Sequence, residues 1–164
     1  MNGWILYKNP IEESWETQKL VEEFEKQDVK IRVVNPNDVD IFVDREDRKS
    51  IIVGGKPRWL PDFVIPRTGS GTTYFIKAII RHLERLGVTL INGSHAIDTV
   101  KDKLYTQQIL AESNLPVPKT LLLKHPINLD WVEKHLNFPV IIKTLSGSFG
   151  AGVFMAENKK QLKQ

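Results

Sequence analysis

The sequence predicts an α/β protein in two successive parts: a parallel α/β unit up to about residue 93, then a second mixed unit entered through a helical stretch. Three observations predict it. Two short apolar runs, Trp4-Ile5-Leu6-Tyr7 and Ile31-Arg32-Val33-Val34, flank a helical pattern, the order that makes a parallel sheet through a crossover helix. The same order returns around residue 76, between Phe63-Val64-Ile65 and Thr89-Leu90-Ile91. Finally, Pro116-Val117-Pro118 follows a helical run it cannot continue, a natural joint between domains.

Taken in order, Trp4 to Tyr7 reads as a buried strand, and Ser14 caps a helix with Leu20, Val21 and Phe24 on one face. Ile31 to Val34 is the next strand. Ile41 to Val43 and Ile51 to Val53 flank the charged turn Asp44 to Lys49 and read as a solvent-exposed hairpin decorating the sheet, ended by Gly54-Gly55. Phe63 to Ile65 is a core strand between Pro61 and Pro66, and Thr73 opens a helix with Ile76, Ile79, Ile80 and Leu83 at helical spacing, stopped at Gly87. Thr89 to Ile91 completes the sheet. Ala96 to Ser113 is helical and ends at Asn114. Lys119 to Leu123 reads as a strand, Asn128 caps a helix carrying Leu129, Val132 and Leu136, and Val140 to Lys143 is a strand. A glycine loop leads to the strand Val153 to Ala156, and Asn158 onward reads as the first turn of a helix. The sequence thus stops in mid-architecture. Trp15, Trp59 and Trp131 are expected in cores or over their edges.

Composition excludes several classes of function. The 164 residues are 41% hydrophobic and 26% charged, as in a folded water-soluble domain. Basic and acidic residues, 23 and 20, are mixed along the chain, with no basic stripe interleaved with aromatics, so nucleic acid is not an expected partner. Without cysteine there is neither a disulfide framework nor a thiolate metal site, which fits a reducing compartment and a cytoplasmic location. No apolar run reaches membrane-spanning length, and Met1 to Lys8 turns polar too soon for a signal peptide, so no membrane partner is expected. His82, His95, His125 and His135 lack ligand spacing, and no metal ligand is assigned. Ser146 and Ser148 lack the strand-to-helix elbow of a serine hydrolase.

The candidate chemistry lies at three places. Lys143 ends an apolar strand and precedes Ser146-Gly147-Ser148-Phe149-Gly150-Ala151-Gly152, a loop whose glycines let backbone N–H groups approach a phosphate. An ordinary strand-end lysine and a flexible hairpin are the bland alternative. The lysine precedes the loop and no helix follows it, so neither the P-loop nor the dinucleotide fingerprint fits. Lys103, after Asp102 at a helix start, is either a second phosphate cation or part of a solvated face. Arg67-Thr68-Gly69-Ser70-Gly71 joins a core strand to a helix N-terminus, where ligands of open α/β sheets bind. Arg67 there either grips a substrate carboxylate or phosphate, or belongs to a turn whose Thr72 or Thr73 caps the helix.

In this order the pieces resemble an ATP-grasp ligase of the RimK type, the glutamate-ligase branch. The resemblance runs through Val64-Ile65-Pro66-Arg67-Thr68-Gly69, His82-Leu83-Glu84-Arg85-Leu86-Gly87-Val88, and Asn92, Ala96 and Ile97 leading to Asp102-Lys103-Leu104. It continues through Leu115-Pro116-Val117-Pro118-Lys119-Thr120 and Phe138-Pro139-Val140-Ile141-Ile142-Lys143 with its loop and Val153. It implies an N-terminal parallel α/β, pre-ATP-grasp domain over 1–93, followed over 94–164 by the first part of an α+β ATP-grasp fold, a helical linker and an incomplete lid subdomain. By the same resemblance, Lys103 and Lys143 contact the phosphates of ATP, residues 146–152 close over them, and Arg67, Gly69, Ser70 and Gly71 face the substrate. The implied reaction activates a carboxylate as an acylphosphate, which an amine then attacks, with glutamate or a similar amino acid as substrate.

The family's later motifs, which meet adenine, ribose and Mg2+, are not in this sequence. Glu157 has no partner carboxylate at ligand spacing, so the metal ligands are expected outside this chain. The expected partners are therefore ATP, an amino-acid or peptide carboxylate acceptor, and either a second copy or a completing C-terminal chain. Alone, the chain is expected to be inactive. A non-catalytic nucleotide- or peptide-binding module and a structural fragment that needs a partner chain are the competing readings.

Overall fold

The computed structural model of the protein describes residues 1–45, 50–145 and 150–163. The chain divides into two compact units, Met1–Ile97 and Asp98–Gln164.

In the first unit, β1 (Asn2–Leu6), α1 (Trp15–Lys26) and β2 (Lys30–Val34) form the opening strand, helix and strand. Ser14 caps α1 by accepting from the Thr17 N–H at 3.1 Å, and the two hydroxyls bond each other at 2.8 Å in a buried contact. Three short strands follow, β3 (Val39–Ile41), β4 (Ile51–Val53) and β5 (Lys56–Pro57), paired antiparallel as a separate sheet. Then come β6 (Phe63–Pro66), α2 (Tyr74–Arg85) and β7 (Thr89–Leu90). The main sheet has the order β2, β1, β6, β7 with every pair parallel, and Leu6 stands opposite Val34 on one side and Pro66 on the other. All strands therefore end on one edge.

The core of this unit lies where α2 covers the sheet. Ile76, Ile79, Ile80 and Leu83, at the expected helical spacing, are buried with Leu6, Val64 and Val88. Truncating any of the four to alanine is expected to cost about 2–5 kcal/mol. The charged hairpin is not mere decoration. Val39, Ile51 and Val53 point inward at alternate positions and join the same core, whereas Phe42 and Val43, beyond the end of β3, are exposed. The charged residues 46–49 of its turn lie outside the described residues. A buried polar pair also sits here: Ser50 Oγ is 2.7 Å from His82 Nε2, and Arg85 Nη2 is 3.4 Å from His82 Nδ1.

In the second unit, the helical stretch is broken in two. α3 (Ser94–Lys101), which begins in the first unit, ends before Asp102, and Asp102 caps α4 (Lys103–Glu112) by accepting from the N–H groups of Leu104 and Tyr105, both at 2.9 Å. Asn114, with φ +55°, ends α4. The strand expected at 119–123 does not form, because a strand needs a ladder partner and this segment has none among the described residues. α5 (Leu129–Leu136), β8 (Val140–Lys143), β9 (Val153–Ala156) and α6 (Lys159–Leu162) complete the unit. Val132, Val140 and Ala156 make its small core, and Lys159 ties α6 to α5 through Asp130 at 2.8 Å and Glu133 at 2.5 Å. The tryptophans differ from expectation: Trp15 is 69% and Trp59 82% exposed, and Trp131 lies open beside His135. Trp15 is the first residue of α1 and Trp59 lies just past β5, positions that point out of the core.

Candidate functional site

Strand β8 is short and β-branched, and its last residue is Lys143. It pairs antiparallel with β9 so that Val140 faces Ala156, Ile141 faces Met155, Ile142 faces Phe154 and Lys143 faces Val153. The ladder continues one step into the loop, where the Thr144 N–H donates to the Gly152 carbonyl at 3.0 Å and the Val153 N–H to the Gly150 carbonyl at 3.1 Å. Gly150 and Gly152 have φ of +78° and +71°, values that side chains other than glycine adopt only with strain. The hairpin thus requires glycine at both places. Lys143 is exposed at its mouth. Ser146, Gly147, Ser148 and Phe149, expected to line the loop, lie outside the described residues; Ala151 is exposed between the two glycines.

Lys103 comes from a different element. As the first residue of α4 its origin is fixed by the Asp102 cap, and its ammonium donates to the Thr144 carbonyl at 3.3 Å. The structure therefore brings Lys103 to the residue that follows Lys143. Two ammonium-bearing positions beside a turn of exposed backbone suit a polyanion, which lysine meets as a point charge.

A second candidate lies in the first unit, on the edge where the parallel strands end. The Arg67 N–H donates to the Leu6 carbonyl at 2.9 Å, which carries the ladder one residue past β6. Gly69 to Gly71 then form a single 3₁₀ turn, locked by two buried threonines: Thr68 Oγ1 and Thr72 Oγ1 are 2.7 Å apart, and Thr72 Oγ1 donates to the Gly69 carbonyl at 2.7 Å. The helix cap is Thr73, whose Oγ1 accepts from the Ile76 N–H at 3.3 Å. Capping and Arg67 are thus served by different residues of the segment. Arg67 is exposed, and it acts on Glu16 at the start of α1. Hydrogen bonds from its own backbone N–H and from Ser14 hold the Glu16 carboxyl below the usual range, with a smaller push from Arg67.

Sequence reasoning passed over Lys8. Its ammonium lies across the turn, so that a Cβ placed on Gly71 would come within 2.6 Å of Lys8 Nζ. A lone lysine after the first strand carries no pattern, and only the fold puts it beside Gly71. Among the described residues, no group of three His, Asp or Glu side chains could hold a metal ion, and no helix is long and apolar enough to cross a membrane.

Residues 1–97 match the RimK PreATP-grasp domain, and residues 100–164 match the RimK-like ATP-grasp domain. The chain belongs to the RimK-like ATP-grasp family. Among curated relatives of this RimK-like protein, a probable alpha-L-glutamate ligase of Marinomonas sp. strain MWYL1 is 34% identical over 158 residues, 95% of this chain and 51% of the relative. Probable alpha-L-glutamate ligase 1 of Shewanella amazonensis is 32% identical over 157 residues, with the same coverage of 95% and 51%. The RimK-like chain thus spans about half the length of the curated relatives it matches. A crystal structure of a RimK domain protein ATP-grasp from Sphaerobacter thermophilus superposes with a TM-score of 0.71 at 16% identity, over 99% of this chain and 57% of the other. The fold is that of an N-terminal α/β domain followed by part of an ATP-grasp fold.

Proposed function

We propose that this chain supplies the N-terminal half of an ATP-dependent carboxylate–amine ligase, with a glutamate-like amino acid as one substrate. The observation that carries the reading is the meeting of Lys103 with Thr144, next to Lys143 and a hairpin that requires glycine. In this reading Lys103 and Lys143 hold the phosphates of ATP, and residues 146–152 cover them. The segment Arg67, Gly69, Ser70 and Gly71 binds the amino-acid or peptide substrate. In this reading the domain boundary is set at 93/94, ahead of α3, whereas the compact units part within that helix at 97/98, and the setting is cytoplasmic.

The reaction begins when a carboxylate oxygen attacks the γ-phosphorus of ATP and ADP departs, leaving an acylphosphate. An amine then attacks the acyl carbon, inorganic phosphate departs, and the nitrogen loses a proton. What this chain contributes is fixed positive charge where negative charge moves during transfer, and a loop able to exclude water. The Mg2+ ligands of such a ligase are assigned to sequence beyond this chain, and no step is routed through them here. This accords with a chain inactive by itself. The exposed apolar faces of the β8 and β9 hairpin favour completion by a C-terminal chain over a free-standing binding module; a second copy is the other candidate.

Calorimetry of ATP with magnesium, comparing the 164-residue chain with Lys143→Ala, tests the nucleotide reading. Weak binding that falls by up to about tenfold, or about 1.4 kcal/mol, in the variant is the expected result. Binding that is equal in both would remove Lys143 from the site.

A further inference from the structure

We infer that Glu84 is a positioning residue: it caps α3 from α2 and, through α3, sets the place from which Lys103 reaches the nucleotide. This rests on the reading of Lys103 as a phosphate cation, and adds to it a residue that lies far from the phosphates.

The start of α3 needs a cap that its own sequence does not supply. The Gly93 carbonyl accepts the first helical bond, from the Ile97 N–H at 3.1 Å, which makes Gly93 the capping position. Glycine has no side chain to take the N–H groups left open there. Glu84 supplies the acceptor instead: Oε1 accepts from the Ser94 N–H at 2.8 Å and Oε2 from the Ser94 hydroxyl at 2.5 Å. A Cβ on residue 93 would lie 2.3 Å from Glu84 Oε1, so the glycine is what admits the carboxylate. Charge argues the same way. Glu84 lies in the last turn of α2, where a negative charge opposes the helix dipole, and meets the first turn of α3, where the dipole favours it. Its carboxylate therefore serves α3.

The path from this cap to Lys103 is short and bonded throughout. α3 has eight residues, about two turns, too few to stay helical without support at both ends. Ile97 in the first turn packs against the core of the first unit. At the far end the Thr99 carbonyl accepts from the Asp102 N–H at 3.3 Å and from the Thr106 hydroxyl at 2.8 Å, and that hydroxyl lies 2.9 Å from the Asp102 carbonyl. Asp102 in turn caps α4, whose first residue is Lys103. Opening the first turn of α3 leaves a single turn, and the Thr99 carbonyl that orders Asp102 loosens with it. Lys103 then spends less time at the Thr144 carbonyl.

The test combines NMR of the isotopically labelled 164-residue chain with calorimetry of ATP and magnesium. Glu84→Ala, Glu84→Gln, Lys103→Ala and the double variant Glu84→Ala, Lys103→Ala are compared with the pair Glu84→Ala, Gly93→Asp, which returns a carboxylate cap from the helix's own start. Melting temperatures check folding, and Gly93→Ala, which only crowds the Glu84 carboxylate, stands in should Glu84→Ala not fold. Glu84→Ala is expected to speed amide exchange at residues 97–101 and to move the Leu145 amide, which shares its peptide with the Thr144 carbonyl, towards its position in Lys103→Ala. It should weaken ATP binding by up to about fivefold, and add nothing once Lys103 is alanine. Glu84→Gln, which keeps an acceptor for the Ser94 N–H, and the Gly93→Asp pair should recover most of the loss. Faster exchange in α3 with the Leu145 amide and the affinity unchanged would reduce Glu84 to a cap and overturn its positioning role. Losses that add with those of Lys103→Ala would overturn it as well. A wild-type chain that binds no ATP, or Lys103→Ala that binds it equally well, would overturn the phosphate reading, and the Leu145 amide would then decide by itself whether Glu84 places Lys103.

Discussion

The ammonium of Lys103 donates to the main-chain carbonyl of Thr144 at 3.3 Å, so a helix start and a strand end that lie far apart in sequence are joined beside Lys143. If both lysines address one phosphate chain, their effects are coupled. Lys103→Ala is expected to lower ATP affinity by about tenfold, and the double variant with Lys143→Ala to lose less than the sum of the two. Lys103→Arg keeps the charge and should recover part of the loss. Calorimetry on the four proteins reads the coupling directly; strictly additive losses would mean that the lysines act on separate groups.

Gly152 and Gly150 separate two costs. Both have positive φ, but a Cβ at Gly150 would meet open space, whereas one at Gly152 would lie 2.6 Å from Thr144 Oγ1 and 2.7 Å from its Cγ2. Gly150→Ala pays only backbone strain, about 1 kcal/mol, and Gly152→Ala adds a clash, for about 2–3 kcal/mol in all. Amide hydrogen exchange along β8 and β9 gives the difference. Equal protection in the two variants would show that Thr144 moves aside freely.

Burial pushes the imidazole of His82 below its ordinary range around 6.5. The sign follows from linkage: as pH falls, the unfolded chain takes up the proton first, so the stabilisation is complete above about pH 6.5 and is lost on acidification towards the folded value. With Arg85 donating to Nδ1, the neutral ring donates from Nε2 to Ser50. Urea unfolding of the first unit should therefore weaken as pH falls below about 6.5, with a slope from this group of at most about 1.4 kcal/mol per pH unit. His82→Gln should flatten that slope. An unchanged slope would assign the acid sensitivity elsewhere.

What could be read from the sequence was mostly local. Ser14, Thr73, Asn128 and Asn158 each accept from an N–H three residues on, a relation visible as a residue type at a helix start. The stripe Ile76, Ile79, Ile80, Leu83 was equally legible, because helical spacing alone sets which face is covered. The misreadings were tertiary. Nothing local says that Val39, Ile51 and Val53 reach the main core, that residues 119–123 find no ladder partner among the described residues, or that Trp15 and Trp59 face outward. The candidate sites show the same division. Lys143 was marked by its glycine loop, but its link to Lys103 needed a family framework before the structure supplied a distance. Lys8 had no local mark at all, since only the fold places its ammonium beside Gly71, in the turn that follows β6.

The hairpin of β8 and β9 carries apolar side chains on both faces. Val140 and Ala156 are covered by the small core, but Ile142 and Phe154 further along that face are open, and Ile141, Met155 and Val153 are open on the other. Phe154 is 64% and Met155 59% exposed, so replacing them removes little buried surface. The double variant Phe154→Thr, Met155→Thr keeps strand propensity and should alter stability by no more than about 0.5 kcal/mol. It should also lower binding of an apolar dye and reduce self-association in sedimentation. A patch of this kind beside an unpaired strand edge attracts other chains, so dye binding that stays unchanged would place the sticky surface elsewhere in the chain. A fall in association without loss of stability would identify these strands as the surface that a completing chain covers.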